Sequence, residues 1–338
     1  MSDITWRINR REFHEAGVGA LLASIGSAGW AQGSTIPADF PNRTVTIITA
    51  FGPGSGPDAV ARLVADALTK KWGQRVVVDN RPGGGGFIAI EAARRAPPDG
   101  YTLLQLDSEH LSALPYLYKQ KNFQTLDAFD PVVALFRTSF MVTVASDAPW
   151  NNVADMLDTA RKSTAGFTYG SWGVGSPGHL GGAWLSGLSG AKMEHIPYRD
   201  QASLFIAVGA GDICWALGSL PSSRAAYQAG KVKYLAVAAP RRVAQMSNVP
   251  SMTEAGGPAG MEVNSFAILA APKGVSPVLA EHLHSDISQA LAGPNIKAQF
   301  DTFAFEGLSW SRSDIIDNAK AKARIYQDLI AQNHITLD

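Results

Sequence analysis

The chain has 338 residues, of which 46% are hydrophobic and 17% charged, a length that can bury the cores of two domains. Its 29 basic and 29 acidic side chains cancel, so nucleic acid and acidic membrane surfaces find no electrostatic hold on it. One cysteine, Cys214, excludes an intramolecular disulfide and a thiolate metal cluster.

At the N-terminus, Asn9-Arg-Arg-Glu-Phe13 resembles a twin-arginine export motif. The uncharged run at 16–30 is rich in glycine and alanine and too weakly hydrophobic for a membrane anchor. Gly29-Trp30-Ala31 sets small residues at the two positions a signal peptidase reads, so residues 1–31 are expected to be a signal peptide cleaved after Ala31. The alternative is a short amphipathic helix. Arg7, Arg10 and Arg11 balance Asp3, Glu12 and Glu15, so removal leaves the chain neutral. A signal of this kind directs a protein to the bacterial periplasm.

Strands and helices then alternate. A strand over 45–49 runs into Phe51-Gly-Pro-Gly-Ser-Gly-Pro-Asp58, and a helix over 58–72 carries Val60, Leu63, Val64, Ala67, Leu68 and Trp72 on one face until Gly73 ends it. A β-branched strand at 76–79 leads through Gly83-Gly-Gly-Gly86 to a helix at 87–95. Pro97-Pro-Asp-Gly100 is a turn, and 103–106 a third strand. Strands at 132–136 and 141–145, a helix at 152–162 and a strand at 167–170 follow. The last enters Gly173-Val-Gly-Ser-Pro-Gly178 and a helix that begins near His179. Short strands at 195–198, 213–217 and 234–238 alternate with helices at 202–208 and 222–228. The tail holds a long strand at 263–270 and helices at 278–292 and 314–332. Ile315, Ile316, Ala319, Ala323, Ile325, Tyr326, Leu329 and Ile330 are the packing positions expected of the last helix. Repeated βα units of this size predict an α/β fold of mostly parallel sheets flanked by helices, with ligands at the carboxyl ends of the strands. No internal repeat stands out.

Strand, glycine loop and helix start together make an anion site, because first-turn amides lack intrahelical partners and the helix dipole favours negative charge. The loops at 52–56, 83–86 and 173–178 all have this form. Any one of them can equally be a tight turn, but those at 52–56 and 173–178 come from opposite halves and point to a shared site. Pro57 stands where a dinucleotide fingerprint needs glycine, and no Gly-x-x-x-x-Gly-Lys-Ser/Thr occurs, so no cofactor is expected. His282 and His284 lie two apart on a helix and face different ways, and no metal-ligand spacing is found. Neither Ser171 nor Ser176 has Gly-x-Ser-x-Gly flanks, since Tyr169 and Val174 precede them by two. A hydrolase using one of these serines with His179 or His195 stays open, because triads are defined by geometry.

Several stretches in order resemble one family. They are Phe40-Pro-Asn-Arg-Thr-Val-Thr-Ile-Ile-Thr-Ala-Phe-Gly-Pro-Gly-Ser-Gly-Pro-Asp-Ala-Val-Ala-Arg62, Gly73-Gln-Arg-Val-Val-Val-Asp-Asn-Arg-Pro-Gly-Gly-Gly-Gly86, Pro98-Asp-Gly-Tyr-Thr-Leu-Leu104, Tyr169-Gly-Ser-Trp-Gly-Val-Gly-Ser-Pro-Gly-His-Leu180, His195-Ile-Pro-Tyr-Arg199, Val249-Pro-Ser-Met-Thr-Glu-Ala-Gly256 and Ala271-Pro-Lys-Gly274. From about residue 38 onward the chain resembles the tripartite tricarboxylate transporter substrate-binding proteins, the Bug family. The resemblance implies a non-enzymatic periplasmic clamp that hands a small carboxylate to membrane transporter subunits; a monomer is expected, and a ligand sensor for a membrane kinase, which would share the same pocket, is the alternative. Residues 38–140 plus 267–338 would form domain 1 and 141–266 domain 2, with crossovers near 139–144 and 264–269. Carried over residue by residue, the carboxylate falls to Phe51, Gly54, Ser55 and Asp58 on one side and Ser171, Gly175 and Ser176 on the other, with His179 nearby, and Ser108, Trp172 and Gly218 complete the expected ligand-binding set. Asp58 has a second reading as a helix cap, and His179 as a structural hydrogen bonder.

Two departures from the family pattern bear on the ligand. Gly218 stands where an acidic residue is common, which argues against an amino-acid ligand. The loop after the third strand reads Leu106-Asp-Ser-Glu-His110 in place of small polar residues, so Asp107 or Glu109 could meet an ammonium group. Phe51, Phe87, His110 and Trp172 could wall a ring, which leans toward an aromatic acid, or they could pack on one another.

Overall fold

The computed structural model describes residues 39–338, so the signal segment and its cleavage site lie outside the described residues. Two mixed sheets carry the helices. The chain begins with β1 (Val45–Thr49), α1 (Gly56–Trp72), β2 (Val76–Asn80), α2 (Phe87–Arg94) and β3 (Thr102–Asp107). Three short helices follow, α3 (Ser108–Ser112), α4 (Leu114–Leu117) and α5 (Thr125–Ala128), and then the long β4 (Phe129–Ser139). The middle of the chain is β5 (Met141–Ala145), α6 (Val153–Lys162), β6 (Thr168–Ser171), α7 (Pro177–Ser189), β7 (Glu194–Pro197), α8 (Gln201–Ala210), β8 (Trp215–Gly218), α9 (Leu220–Gln228) and β9 (Val232–Val237). The tail is β10 (Asn264–Pro272), α10 (Pro277–Leu291), α11 (Pro294–Phe303), β11 (Phe305–Gly307) and α12 (Arg312–Gln332).

The first sheet has the order β11-β4-β10-β3-β1-β2, and the second β7-β6-β8-β5-β9. Among the strands of the described residues, only β1 with β2 and β3, and β6 with β7 and β8, pair in parallel. The expectation of mostly parallel sheets is therefore corrected to mixed ones. The reason lies in the chain path. The chain leaves the first sheet along β4 and returns along β10, so these two strands must run antiparallel, and they pair from Asn264↔Ser139 to Pro272↔Phe129.

The passages between sheets are short and adjacent. Phe140 alone separates β4 from β5. Its carbonyl accepts from the Ala238 amide at 2.7 Å, and the Ala238 carbonyl accepts from the Val263 amide at 2.8 Å, one residue before β10 re-enters the first sheet. Each sheet has its own core. Leu104, Phe129, Phe266 and Ile315 lie in one, and Val142, Leu157, Tyr169 and Trp215 in the other. A third cluster joins α4, α7 and α12 through Leu117, Leu180, Tyr326, Leu329 and Ile330.

Helix α1 shows how local sequence sets the frame. Ser55 caps it, Pro57 fits its first turn, Lys70 and Lys71 complement its carboxyl end, and Gly73 in the left-handed region (φ 65°) closes it. Its fully buried stripe is Val60, Ala61, Val64, Ala65 and Leu68, turned slightly from the expected face, with Leu63, Ala67 and Trp72 at the margin. On α12, Ile325 is 43% exposed although the pattern assigned it to packing, while Ile315, Ala319, Tyr326, Leu329 and Ile330 are buried.

Candidate functional site

Parallel strands β2, β1 and β3 end side by side, and the loops that leave them build one wall of the site. The loop between β1 and α1 is pinned at several points. Ser55 Oγ accepts the Asp58 amide at 3.4 Å, as the N-cap of α1. Gly54 adopts φ +79°, a left-handed geometry suited to glycine, and its amide donates to Asp58 Oδ2 at 2.8 Å. Asn80 Nδ2 donates to Asp58 Oδ1 at 2.7 Å and reaches the Phe51 carbonyl at 3.0 Å. Arg62 Nε donates to Asp58 at 3.1 Å. Thr49 Oγ1 accepts the Phe51 amide at 3.2 Å and donates to Gln105, whose own amide holds the Pro57 carbonyl at 2.9 Å. Burial pushes the buried Asp58 carboxyl upward, but the bonds from Arg62, Asn80 and Gly54 outweigh it and hold its pKa below the ordinary value.

The loop between β6 and α7 repeats this construction. Ser176 caps α7 and its Oγ accepts the His179 amide at 3.3 Å. Gly175 adopts φ +79°, and its amide donates to His179 Nδ1 at 3.0 Å. Ser55 closes a turn on the Gly52 carbonyl, and Ser176 closes one on the Gly173 carbonyl, both at 3.3 Å. The shared pattern is Gly-x-Gly-Ser-x-x-Asp/His. Asp58 and His179 play the same part, each tying back the glycine amide of its own loop. The repeat is hidden in the sequence because Gly56-Pro57 in one loop is Pro177-Gly178 in the other, and a carboxylate is exchanged for an imidazole.

One consequence concerns donors. The Gly54 and Gly175 amides are already occupied. The first-turn amides of Gly56 and Gly178 find no acceptor among the described residues, although both residues are buried. An unsatisfied buried amide costs about 1–3 kcal/mol, so each calls for an oxygen acceptor.

Contacts between the two halves flank these loops. A Cβ on Gly56 would lie 3.2 Å from Pro221, at the start of α9, and one on Gly175 would lie 2.3 Å from Leu117 of α4. Phe51, Gly54, Ser55 and Asp58 therefore belong to one wall. Ser171, Trp172, Gly175, Ser176 and His179 belong to the other. Gly218 ends β8 on the second side, and the Phe205 ring stands 2.2 Å from where its Cβ would be, so α8 fills the space an acidic side chain would take. Ser108 lies fully buried behind the first wall, its hydroxyl bonded to Glu109 at 2.9 Å.

The aromatic side chains mostly pack on one another. Phe87 meets Tyr118 and Phe123 edge-on, Trp172 stacks on the passage residue Phe140 at 5.7 Å, and Phe51 meets His110 edge-on at 6.0 Å. Both acids of the third loop are engaged within the protein. Asp107 caps α3 and holds His110 Nδ1 at 2.5 Å. Glu109 accepts from Ser265, Tyr326 and Lys322 as well as Ser108. Helix α3 itself, with five residues, is too short to show a period in the sequence.

Ser171 Oγ lies 2.7 Å from His195 Nε2, and it donates to the Gly173 carbonyl at 2.9 Å, closing the loop. The His195 ring stacks on His179 with centroids 3.7 Å apart. Ser176 spends its hydroxyl on the helix cap. Burial lowers both imidazoles, His179 to about 3 with a further push from His195, and His195 to about 4.

Residues 60–334 match the tripartite tricarboxylate transporter family receptor. The chain belongs to that family. A family relative, the UPF0065 protein in the tcbD-tcbE intergenic region of Pseudomonas sp. (strain P51), is 30% identical over 293 residues, 87% of each chain. Among solved structures, R. palustris Rpa4515 with adipate is 26% identical with a TM-score of 0.81, covering 88% of this chain and 99% of its own. The periplasmic binding protein BugD is also 26% identical, with a TM-score of 0.77 over 88% and 99%. The family and these structures are binding proteins and not enzymes, so Ser171 with His195 is part of a loop support and not a nucleophile pair. A separate concavity of about 840 Å³ is lined by Val133, Leu135, His284, Phe300 and Trp310. Its His284 Nδ1 already bonds the Val132 carbonyl, and none of its lining residues belongs to either glycine loop.

Replacing Asp58 with Ala should destabilise the protein by about 1–3 kcal/mol in urea unfolding, since the bonds from the Gly54 amide and from Asn80 Nδ2 to this buried carboxylate are both lost, while the half-exposed Arg62 adds little. The imidazoles give a second expectation. Unfolded histidine takes a proton near pH 6.5, whereas His195 and His179 in the fold stay neutral down to about 4 and 3. The unfolded chain binds more protons in that window, so stability falls as pH drops from 6.5 toward 4, by about 1.4 kcal/mol per histidine per pH unit. His110 is shifted the other way, and its contribution is already complete below pH 6.5. Urea midpoints at pH 7, 6 and 5 should decline, and His195→Gln should flatten the decline.

Proposed function

We propose that this receptor binds a small carboxylate between its two glycine–serine loops in the periplasm and delivers it to a membrane transporter of the tripartite tricarboxylate type. The observation that carries the reading is the repeated loop, which presents one free first-turn amide, Gly56 or Gly178, from each half of the chain. Two such donors and two helix N-termini suit a carboxylate without any buried arginine or lysine. Residues 38–140 plus 267–338 and residues 141–266 act as two domains in this reading. The paired passages at Phe140 and Ala238–Val263 are its hinge, and a ligand touching both loops favours the closed form. Gly54, Gly175, Asp58 and His179 shape the loops, while Phe51, Ser55, Ser171, Trp172 and Ser176 line the space between them.

The ligand is an acid without an amino group. Phe205 fills the place of an acid at 218, and Asp107 and Glu109 are both spent on internal bonds, which leaves an ammonium no partner in these loops. The relative Rpa4515, solved with adipate, supports a carboxylic acid of small size. Export with cleavage after Ala31 and action as a monomer complete the reading.

Isothermal titration of protein refolded to strip retained ligand, against mono-, di-, tri- and aromatic carboxylic acids, should give saturable one-to-one binding of at least one acid. Binding of amino acids in preference to acids, or of no acid at all, would sink the proposal.

A further inference from the structure

The third glycine loop, at 83–86, and the tail after α12 belong to neither wall of the site. Both hold α4 instead. The chain leaves α12 and turns at His334, whose φ is +51°. Ile335 joins the buried cluster of Leu117, Leu180, Tyr326 and Ile330, and its amide bonds the Ile330 carbonyl at 3.1 Å. The Leu337 amide then donates to the Leu117 carbonyl at 2.9 Å, and Thr336 Oγ1 reaches the same oxygen at 3.4 Å. The last carbonyls of a helix lack intrahelical partners, so the tail supplies what the four-residue α4 cannot. The Gln120 amide donates to the Asp338 carboxylate at 3.1 Å. From the other side, the Tyr118 hydroxyl donates to the Gly84 carbonyl at 3.0 Å, and a Cβ on Gly85 would lie 3.4 Å from both Leu337 and Tyr118. Helix α4 is gripped between the tail and the third loop.

What the gripped helix presents is the buried side chain of Leu117. It packs in one cluster with Leu180 and Ala183 of α7. It also fills the place of a side chain at Gly175, where a Cβ would meet Leu117 Cδ1 at 2.3 Å. Val174, in the same loop, packs on that cluster too. The twin loop has no such seat. A Cβ on Gly54, the counterpart of Gly175, would meet nothing within 4 Å among the described residues. Pro53 and Gly54 are exposed, whereas Val174 is half-buried and Gly175 buried. The polar ties differ in the opposite sense. Asp58 is bonded to Asn80 and Arg62 as well as to Gly54, while the His179 ring bonds the Gly175 amide alone. An apolar seat on the opposite half of the chain stands in for the polar ties that the second loop lacks.

We propose that Leu117 is a positioning residue of the ligand site. Clamped by the C-terminal tail, it seats the 173–178 loop and keeps the Gly178 amide in place, so a change at the tail is felt at the site. Its effect on affinity rests on the carboxylate reading above, whereas the seat itself does not. Backbone donors are held only as well as the residues packed behind them, and here those residues come from α4 and the tail.

Hydrogen exchange, read amide by amide by NMR in ligand-free protein, tests the seat in wild type, Leu117→Ala, Leu337→Pro and Ile315→Ala. Leu337→Pro removes the amide that holds the Leu117 carbonyl. Ile315→Ala damages the separate core of the first sheet and controls for lost stability. The amides of Gly175, Ser176 and His179 should exchange about tenfold faster in Leu117→Ala and about threefold faster in Leu337→Pro, while those of Gly54, Ser55 and Asp58 stay within about twofold of wild type. Ile315→Ala should leave both loops unchanged. Unaltered exchange at 175–179 in either Leu variant overturns the inference, as does equal acceleration of both loops or the same acceleration in Ile315→Ala. If Leu117→Ala does not fold, Leu337→Pro decides alone, by the threefold rise or its absence. Binding is then titrated with adipate, succinate and benzoate. Any of these that wild type binds should lose affinity in Leu337→Pro and more so in Leu117→Ala, and an affinity that holds while the loop loosens would overturn the positioning role. If wild type binds none of them, the carboxylate reading falls and the exchange rates still decide the seat.

Discussion

Everything at the candidate site depends on one small constraint, a glycine amide tied back by a residue in the first turn of the following helix. Gly54 is tied to Asp58 and Gly175 to His179. The left-handed glycine lets the chain double back, the serine caps the helix, and the tied amide stops the loop from collapsing onto the helix end. What is left over is a single first-turn amide per loop. A site made of backbone donors needs such bracing, because a loop has no side chains of its own to hold its amides in place. The carboxylate at 58 carries its bracing as a charge paired with Arg62, while the imidazole at 179 stays neutral under a stack of rings.

The two braced loops sit on different sheets, and the chain passes between those sheets only at Phe140 and around Val263. The passages are hydrogen-bonded to each other through Ala238. A pair of adjacent strands bends more easily than a packed layer, since few side chains must repack. Trp172, directly after Ser171, stacks on Phe140, so the second loop touches the passage itself. Behind the first loop, Glu109 gathers Ser108, Ser265, Lys322 and Tyr326, and Lys322 also bonds Asn264 at the start of β10. A buried carboxylate with this many donors is well satisfied, and it fixes α3, and with it His110, to the same passage.

Much of this was legible in the sequence. The α/β alternation, the βα loops and the helix caps follow from hydrophobic period, glycine and serine placement, and the structure places α1 and β1 within two residues of expectation. Asp58 as a brace was foreseen in kind, although Ser55 is the cap and Asp58 serves the glycine before it. Other features were hidden for physical reasons. Strand direction depends on where the chain crosses between sheets, which no local pattern encodes. Helix α3 is a single turn and a half, and α11 with β11 lies in a stretch whose apolar positions serve two elements in quick succession. The loop repeat is carried by conformation, and only three of its seven positions show it as residue types.

The most direct measurement is a crystal structure of the protein grown with an acid that it binds. The account predicts one carboxylate between the two halves, its oxygens within hydrogen-bond distance of the Gly56 and Gly178 amides. A bound acid that touches neither amide, or that lies in the concavity beside His284 and Trp310, would contradict it.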